Sequence, residues 1–140
     1  MDEITPPDQP LPRKYLNSIL YLADCMAAVD GNVDPKERRT VNALADAAGM
    51  QDFREDSRYR LMSDLRACEA LEDSADAKAA ALVVISLILK ADLEYKDEEH
   101  EYFGKIRKML EHPPISVPTD LQQHKELALK LMDARDAGSA

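Results

Sequence analysis

Ala27-Ala28-Val29-Asp30-Gly31-Asn32-Val33-Asp34-Pro35-Lys36-Glu37 decides the fold of this chain, because it holds the end of one helix, a turn and the start of the next. Upstream, Tyr15, Leu16, Ile19, Leu20, Leu22, Ala23, Met26 and Ala27 recur at helical spacing and form one broad apolar stripe, which predicts a buried helix ending near Val29. Asp30-Gly31-Asn32 stops it: glycine permits positive φ, and Asp or Asn can bond its neighbouring backbone. Asp34 as N-cap, Pro35 at the first helical position and Glu37 at the third then satisfy backbone donors that a helix start leaves open. Val41, Leu44, Ala45 and Ala48 form the inner face of this second helix, and Gly49 closes it.

Working outward, the same unit occurs twice. At an offset of 62 residues Asp30 falls on Asp92, Glu37 on Glu99, Val41 on Phe103, Leu44 on Ile106 and Ala48 on Leu110. Leu20 likewise falls on Leu82, Leu22 on Val84, Met26 on Ile88 and Ala27 on Leu89, giving repeat units of about 15–49 and 77–111. A helix pair of this kind must bury its stripe against its copy, so an all-α bundle of two pseudo-two-fold related halves is expected. The run 82–89 alone would also suit a buried strand, but its length and alanine-rich lead-in place it in a helix over 75–91. The second helix of that unit, about 97–111, buries Tyr102, Phe103, Ile106 and Leu110 and ends at His112-Pro113-Pro114.

Between the units a helical stretch over about 57–71 is expected to use Tyr59, Leu61, Met62, Leu65 and Cys68 as contacts. Thr119-Asp120-Leu121-Gln122 resembles a capping box and opens a last helix over about 120–137, with Leu121, Leu127, Leu129, Leu131 and Met132 apolar. Residues 1–12 carry Pro6, Pro7, Pro10 and Pro12 and few large apolar groups, so a loose acidic tail is expected before a single domain over 13–138.

Composition narrows function. The chain has 140 residues, 27 acidic and 18 basic, for a net charge of −9 and a pI near 4.8. A chain of this length can bury about 70% of its unfolded surface, so it needs no metal or disulfide to hold a core. The acidic balance argues against nucleic acid and anionic lipid and favours cations or basic protein partners. Cys25 and Cys68 match no paired spacing and lie in apolar segments, as reduced core thiols do. Met1 to Asp8 lacks the features of a secretory signal. The longest uncharged run, 79–89, is shorter than the roughly 20 residues that cross a bilayer. A cytoplasmic location is therefore expected.

The segment Ala27–Glu37 and its looser copy Lys90-Ala91-Asp92-Leu93-Glu94-Tyr95-Lys96-Asp97-Glu98-Glu99 resemble the twice-used Ala-Asp-Gly…Glu pattern of the TerB-like (tellurite resistance) family, over most of residues 15–111. The resemblance implies a helical bundle of about five to seven helices made of two similar halves. It also implies a role in tellurite or other stress resistance, divalent-metal binding through shared acids, and action as an adaptor instead of an enzyme. Asp30 and Glu37 match the first motif and Asp92 and Glu99 the second, with Asp34 a frequent acidic position. Leu93 stands where the second motif has glycine, and Val29 interrupts the usual Ala-Asp-Gly run.

If the halves pack about a two-fold axis, Asp30, Asp34 and Glu37 approach Asp92, Glu94 and Glu99, an all-oxygen set suited to Ca²⁺ or Mg²⁺. Asp30 and Asp92 also sit near helix C-termini, where the macrodipole disfavours anions and a cation would compensate. Each acid has a local use as well: Asp30 in an Asx-turn, Asp34 as a cap, Glu37 as its partner, and Asp97-Glu98-Glu99 as first-turn acids. Both uses stand at this point. An EF-hand is disfavoured, since Pro35 occupies its glycine position and Val41 its terminal glutamate. His100, His112 and His124 have no zinc spacing and are expected at the surface or in linkers, and no phosphate loop or nucleophile elbow occurs. Two further readings remain: an acidic immunity or inhibitor-type protein that neutralises a basic partner, and an oxygen-ligand metalloenzyme.

Overall fold

Residues 82–89 lie inside a 17-residue α-helix, and that helix is the centre of the molecule. The computed structural model describes residues 4–29, 31, 35–91 and 97–133. The first unit consists of α1 (Leu16–Ala28) and α2 (Pro35–Ala47), and the second of α5 (Ala75–Ala91) and α6 (Asp97–Met109). Between them lie α3 (Ser57–Leu61) and α4 (Asp64–Ala70), and α7 (Leu121–Leu131) comes last. Short 3-10 turns cover Arg13–Tyr15 and Phe53–Glu55. Among the described residues there is no β-strand, so the chain is all-α as its periodicity predicts.

α5 is apolar around nearly its whole circumference because it packs on α1, α2, α6 and α7 at once. α1 in turn packs on α2, α4, α5 and α6. The core is continuous through Leu16, Ile19, Leu20, Met26, Leu44, Leu82, Ile85, Ile88 and Ile106, all fully buried.

The repeat extends to backbone detail. α2 and α6 start and stop at positions 62 residues apart. Both then close through a residue in left-handed conformation, Gly49 at φ 67° and Glu111 at φ 51°. Met50 N–H donates to the Ala45 carbonyl (2.8 Å) and His112 N–H to the matched Arg107 carbonyl (3.3 Å). This pattern is a Schellman closure, in which glycine is favoured because a Cβ crowds the following carbonyl. Glu111→Gly is therefore expected to stabilise the chain by about 1 kcal/mol, raising Tm by roughly 3–5 °C in thermal unfolding. No gain would mean that the Glu111 side chain contributes as much as its backbone conformation costs.

Three features differ from the sequence expectation. The stretch 57–71 is two helices, because Met62 is extended (ψ 151°) and Ser63 caps a new start by accepting from Arg66 N–H. The break changes the facing of the side chains, so Leu61 and Leu65, expected as contacts, are exposed, whereas Cys68 remains buried. Residues 4–12, expected as a loose tail, lie on the body: Ile4 bridges Ile115, Leu11 N–H donates to the Leu131 carbonyl at 3.1 Å, and Leu11 is buried. The cap of α7 is Asp120 rather than Thr119, its carboxylate accepting from Gln123 N–H at 2.9 Å. The expected extension of that helix beyond 133 lies outside the described residues.

Candidate functional site

Each unit presents its acids where its second helix begins. Of the six candidate ligands, Asp30, Asp34, Asp92 and Glu94 lie outside the described residues. The remaining two, Glu37 and Glu99, occupy the third position of α2 and of α6 and are 0% and 1% exposed. First-turn carboxylates are favoured by the helix dipole, but that effect is met as well at the surface as inside. Full burial is costly for a carboxylate unless hydrogen bonds, a pairing charge or a proton compensate it. Burial at matched positions is a property that the two units share beyond their spacing.

The end of α1 meets the start of α6. Val29, the residue before Asp30, borders a cleft of about 310 Å³ with Glu98, Glu101, Tyr102 and Lys105. Val29 thus lies beside the helix that carries Glu99. Among the described residues no three His, Cys, Asp or Glu side chains stand close enough to hold a metal ion, and four of the six acids of interest are not among those residues.

Below this cleft lies a polar network that the motif reading did not anticipate. Tyr102 Oη donates to Asp64 Oδ1 (2.9 Å) and Lys105 Nζ to Asp64 Oδ2 (3.0 Å), tying α6 to α4. Asp24, a lone charge in the apolar α1, accepts from Arg54 Nε (3.1 Å) and Nη2 (2.7 Å) and from Tyr59 Oη (2.5 Å). Arg54 also donates to Asn42 Oδ1 at 3.1 Å, which links α2 to the same cluster. A charged residue in an otherwise apolar stripe must find partners, and that was the available signal for Asp24.

The groups nearby are held in their neutral forms. Burial, with Cys25 and Asp64 adding to it, pushes the Tyr102 hydroxyl far above its ordinary value. Burial raises the Cys25 thiol, and it pushes Cys68 up to about 11. Both cysteines are free and are thiols at neutral pH, as expected for core groups. The chemistry of this region is that of hydrogen bonding and charge pairing.

His124 departs from its expected surface position. It is fully buried on α7, with Nε2 2.9 Å from the Val83 carbonyl and 3.2 Å from Ser86 Oγ. No family model matches the chain, and no curated protein or solved structure was found to be similar to it.

Proposed function

We propose that this chain is a non-enzymatic adaptor of TerB-like type, with two helix pairs about a pseudo-two-fold axis. In this reading it binds a protein partner with a basic surface and a divalent cation, Ca²⁺ or Mg²⁺, at the paired acidic turns. The observation that carries the reading is the matched burial of Glu37 and Glu99 at the third positions of α2 and α6. Two carboxylates placed alike in two repeated units, beside turns that carry Asp30, Asp34, Asp92 and Glu94, form an oxygen-rich set of the kind hard cations select. The cleft between Val29 and α6 adds support, since it brings the end of α1 next to the second acidic helix. The resemblance to the TerB-like pattern gives the reading its biological setting, a cytoplasmic response to tellurite or related stress.

The test is thermal unfolding of EDTA-stripped protein with and without Ca²⁺, Mg²⁺, Mn²⁺ or Zn²⁺, beside an Asp30→Asn/Asp92→Asn double variant. A cation that binds only the folded state, at about 100 times its Kd, is expected to stabilise it by about 2.7 kcal/mol. The double variant is expected to lose that gain while keeping its helical signal. No shift with any cation would remove the metal from the reading, and an unchanged shift in the variant would place the ion elsewhere.

A further inference from the structure

The break that exposes Leu61 and Leu65 also shapes a groove. Lys14, Asn17 and Ser18 at the start of α1 face Arg58, Leu61 and Arg66 across a depression of about 390 Å³. It continues past Asn17 and Arg58 into a second hollow of about 300 Å³ floored by Phe53 and Met50. Leu61, at the rim of the groove, is 68% exposed.

The floor of the groove is polar. Asn17 is 8% exposed and Ser18 3%, so each leaves a small area open to the groove. Polar groups at the edge of a groove bond water when it is empty, and a ligand that supplies hydrogen bonds of its own takes the place of that water. The walls are cationic. Arg66 donates to the Leu61 carbonyl at 3.0 Å but makes no ion pair among the described residues. Arg58 donates to Asp56 through Nε (3.2 Å) and Nη2 (3.0 Å), and Lys14 pairs with Asp73 at 3.6 Å; both pairs are at the surface, where an incoming carboxylate competes with them.

We propose that this groove is a docking site for an acidic segment of a partner protein that carries an apolar residue beside its carboxylates. The carboxylates meet Arg66, Arg58 and Lys14, the segment's backbone or side-chain polar groups meet Asn17 and Ser18, and the apolar residue covers Leu61. Charge complementarity selects this occupant: three cations are gathered on one face of a molecule of net charge −9. A bilayer or a nucleic acid would meet the repulsion of the whole surface, whereas a short segment meets the groove alone. The site goes beyond the acidic-turn reading and does not depend on it. Groove and turn lie at opposite ends of α1, about 20 Å apart along a 13-residue helix.

The test uses ¹⁵N-labelled full chain in EDTA, so that the outcome is independent of any cation site. The probe is a twelve-residue acetylated peptide repeating Glu-Asp-Leu, with a control in which lysine replaces each acid. The acidic peptide is expected to move the Asn17 side-chain amide resonances and to bind more weakly at raised salt. Arg66→Glu and Leu61→Ser, both at exposed positions, are each expected to weaken it by about tenfold or more with Tm unchanged. The control peptide is expected not to bind. The proposal is overturned by the absence of a shift at Asn17, by unchanged affinity in both variants, or by equal binding to phosphatidylserine vesicles, which would make the face a membrane contact.

Discussion

Leu44→Ala is expected to destabilise the chain by about 2–5 kcal/mol, and Ile106→Ala at the matched position of the second unit by a similar amount. Both side chains are fully buried, one on α2 and one on α6, and both helices pack on α5. Truncation there loses the transfer free energy of the removed methyl groups and leaves a cavity that a rigid helix pair cannot close. Urea unfolding reads the effect as a fall in midpoint at constant slope. Because one core runs through both units, each variant is expected to lower a single transition. Two separated transitions would show that the units fold independently, and a loss under about 1 kcal/mol would mean the site repacks. Leu61→Ala is the matching control: a largely exposed leucine outside the core should change stability by no more than about 0.5 kcal/mol.

The elements that rest on periodicity were legible in the sequence. The 62-residue offset pairs Leu44 with Ile106 and Ala48 with Leu110, and each pair is buried alike. It also pairs Gly49 with Glu111, whose backbones are alike although only one residue type advertises the turn. Pattern reading failed where one side chain changed the register. Ser63 ends α3 and starts α4, and apolar spacing read across that break assigned Leu61 and Leu65 to the wrong side. Residues 4–12 illustrate a second limit: Leu11 is one apolar residue among prolines, so its burial depends on α7 lying beside it, a tertiary fact with no local signal.

The candidate site was legible to a different degree. Matched spacing singled out Glu37 and Glu99, and first-turn position gave each a local use as well; that both are buried is a tertiary fact that spacing does not carry. The Asp24–Arg54–Tyr59 cluster joins residues 24, 54 and 59 from three segments, and no spacing rule reaches across such distances. Asn17 is similar, because a single amide in an apolar helix becomes informative only once the groove above it is known.

Acidification below about pH 6.5 is expected to destabilise the protein through His124. Burial is the main reason its imidazole is held below the ordinary range, opposed by the hydrogen bond to the Val83 carbonyl, with the Lys90 ammonium of α5 lowering it further. Nε2 carries the proton because it faces a carbonyl, so Nδ1 holds the lone pair, fully buried and without a hydrogen-bond partner among the described residues. Protonation would place a second N–H at Nδ1 and a charge in a buried place where, among the described residues, Nδ1 has no acceptor. The unfolded chain takes up this proton near pH 6.5 and the folded chain only at lower pH. Stability is therefore full above 6.5 and falls by about 1.4 kcal/mol per unit as pH drops toward the folded value. Carboxylates titrate in the lower part of this window, so the comparison is with His124→Gln, which keeps a donor for Val83 and cannot titrate. Urea midpoints measured from pH 8 to 4 are expected to fall more steeply in the native sequence than in the variant, the curves separating below about pH 6.5. Parallel curves would mean that His124 gains its proton without leaving its place against α5, and that the acid sensitivity of the fold comes from its carboxylates.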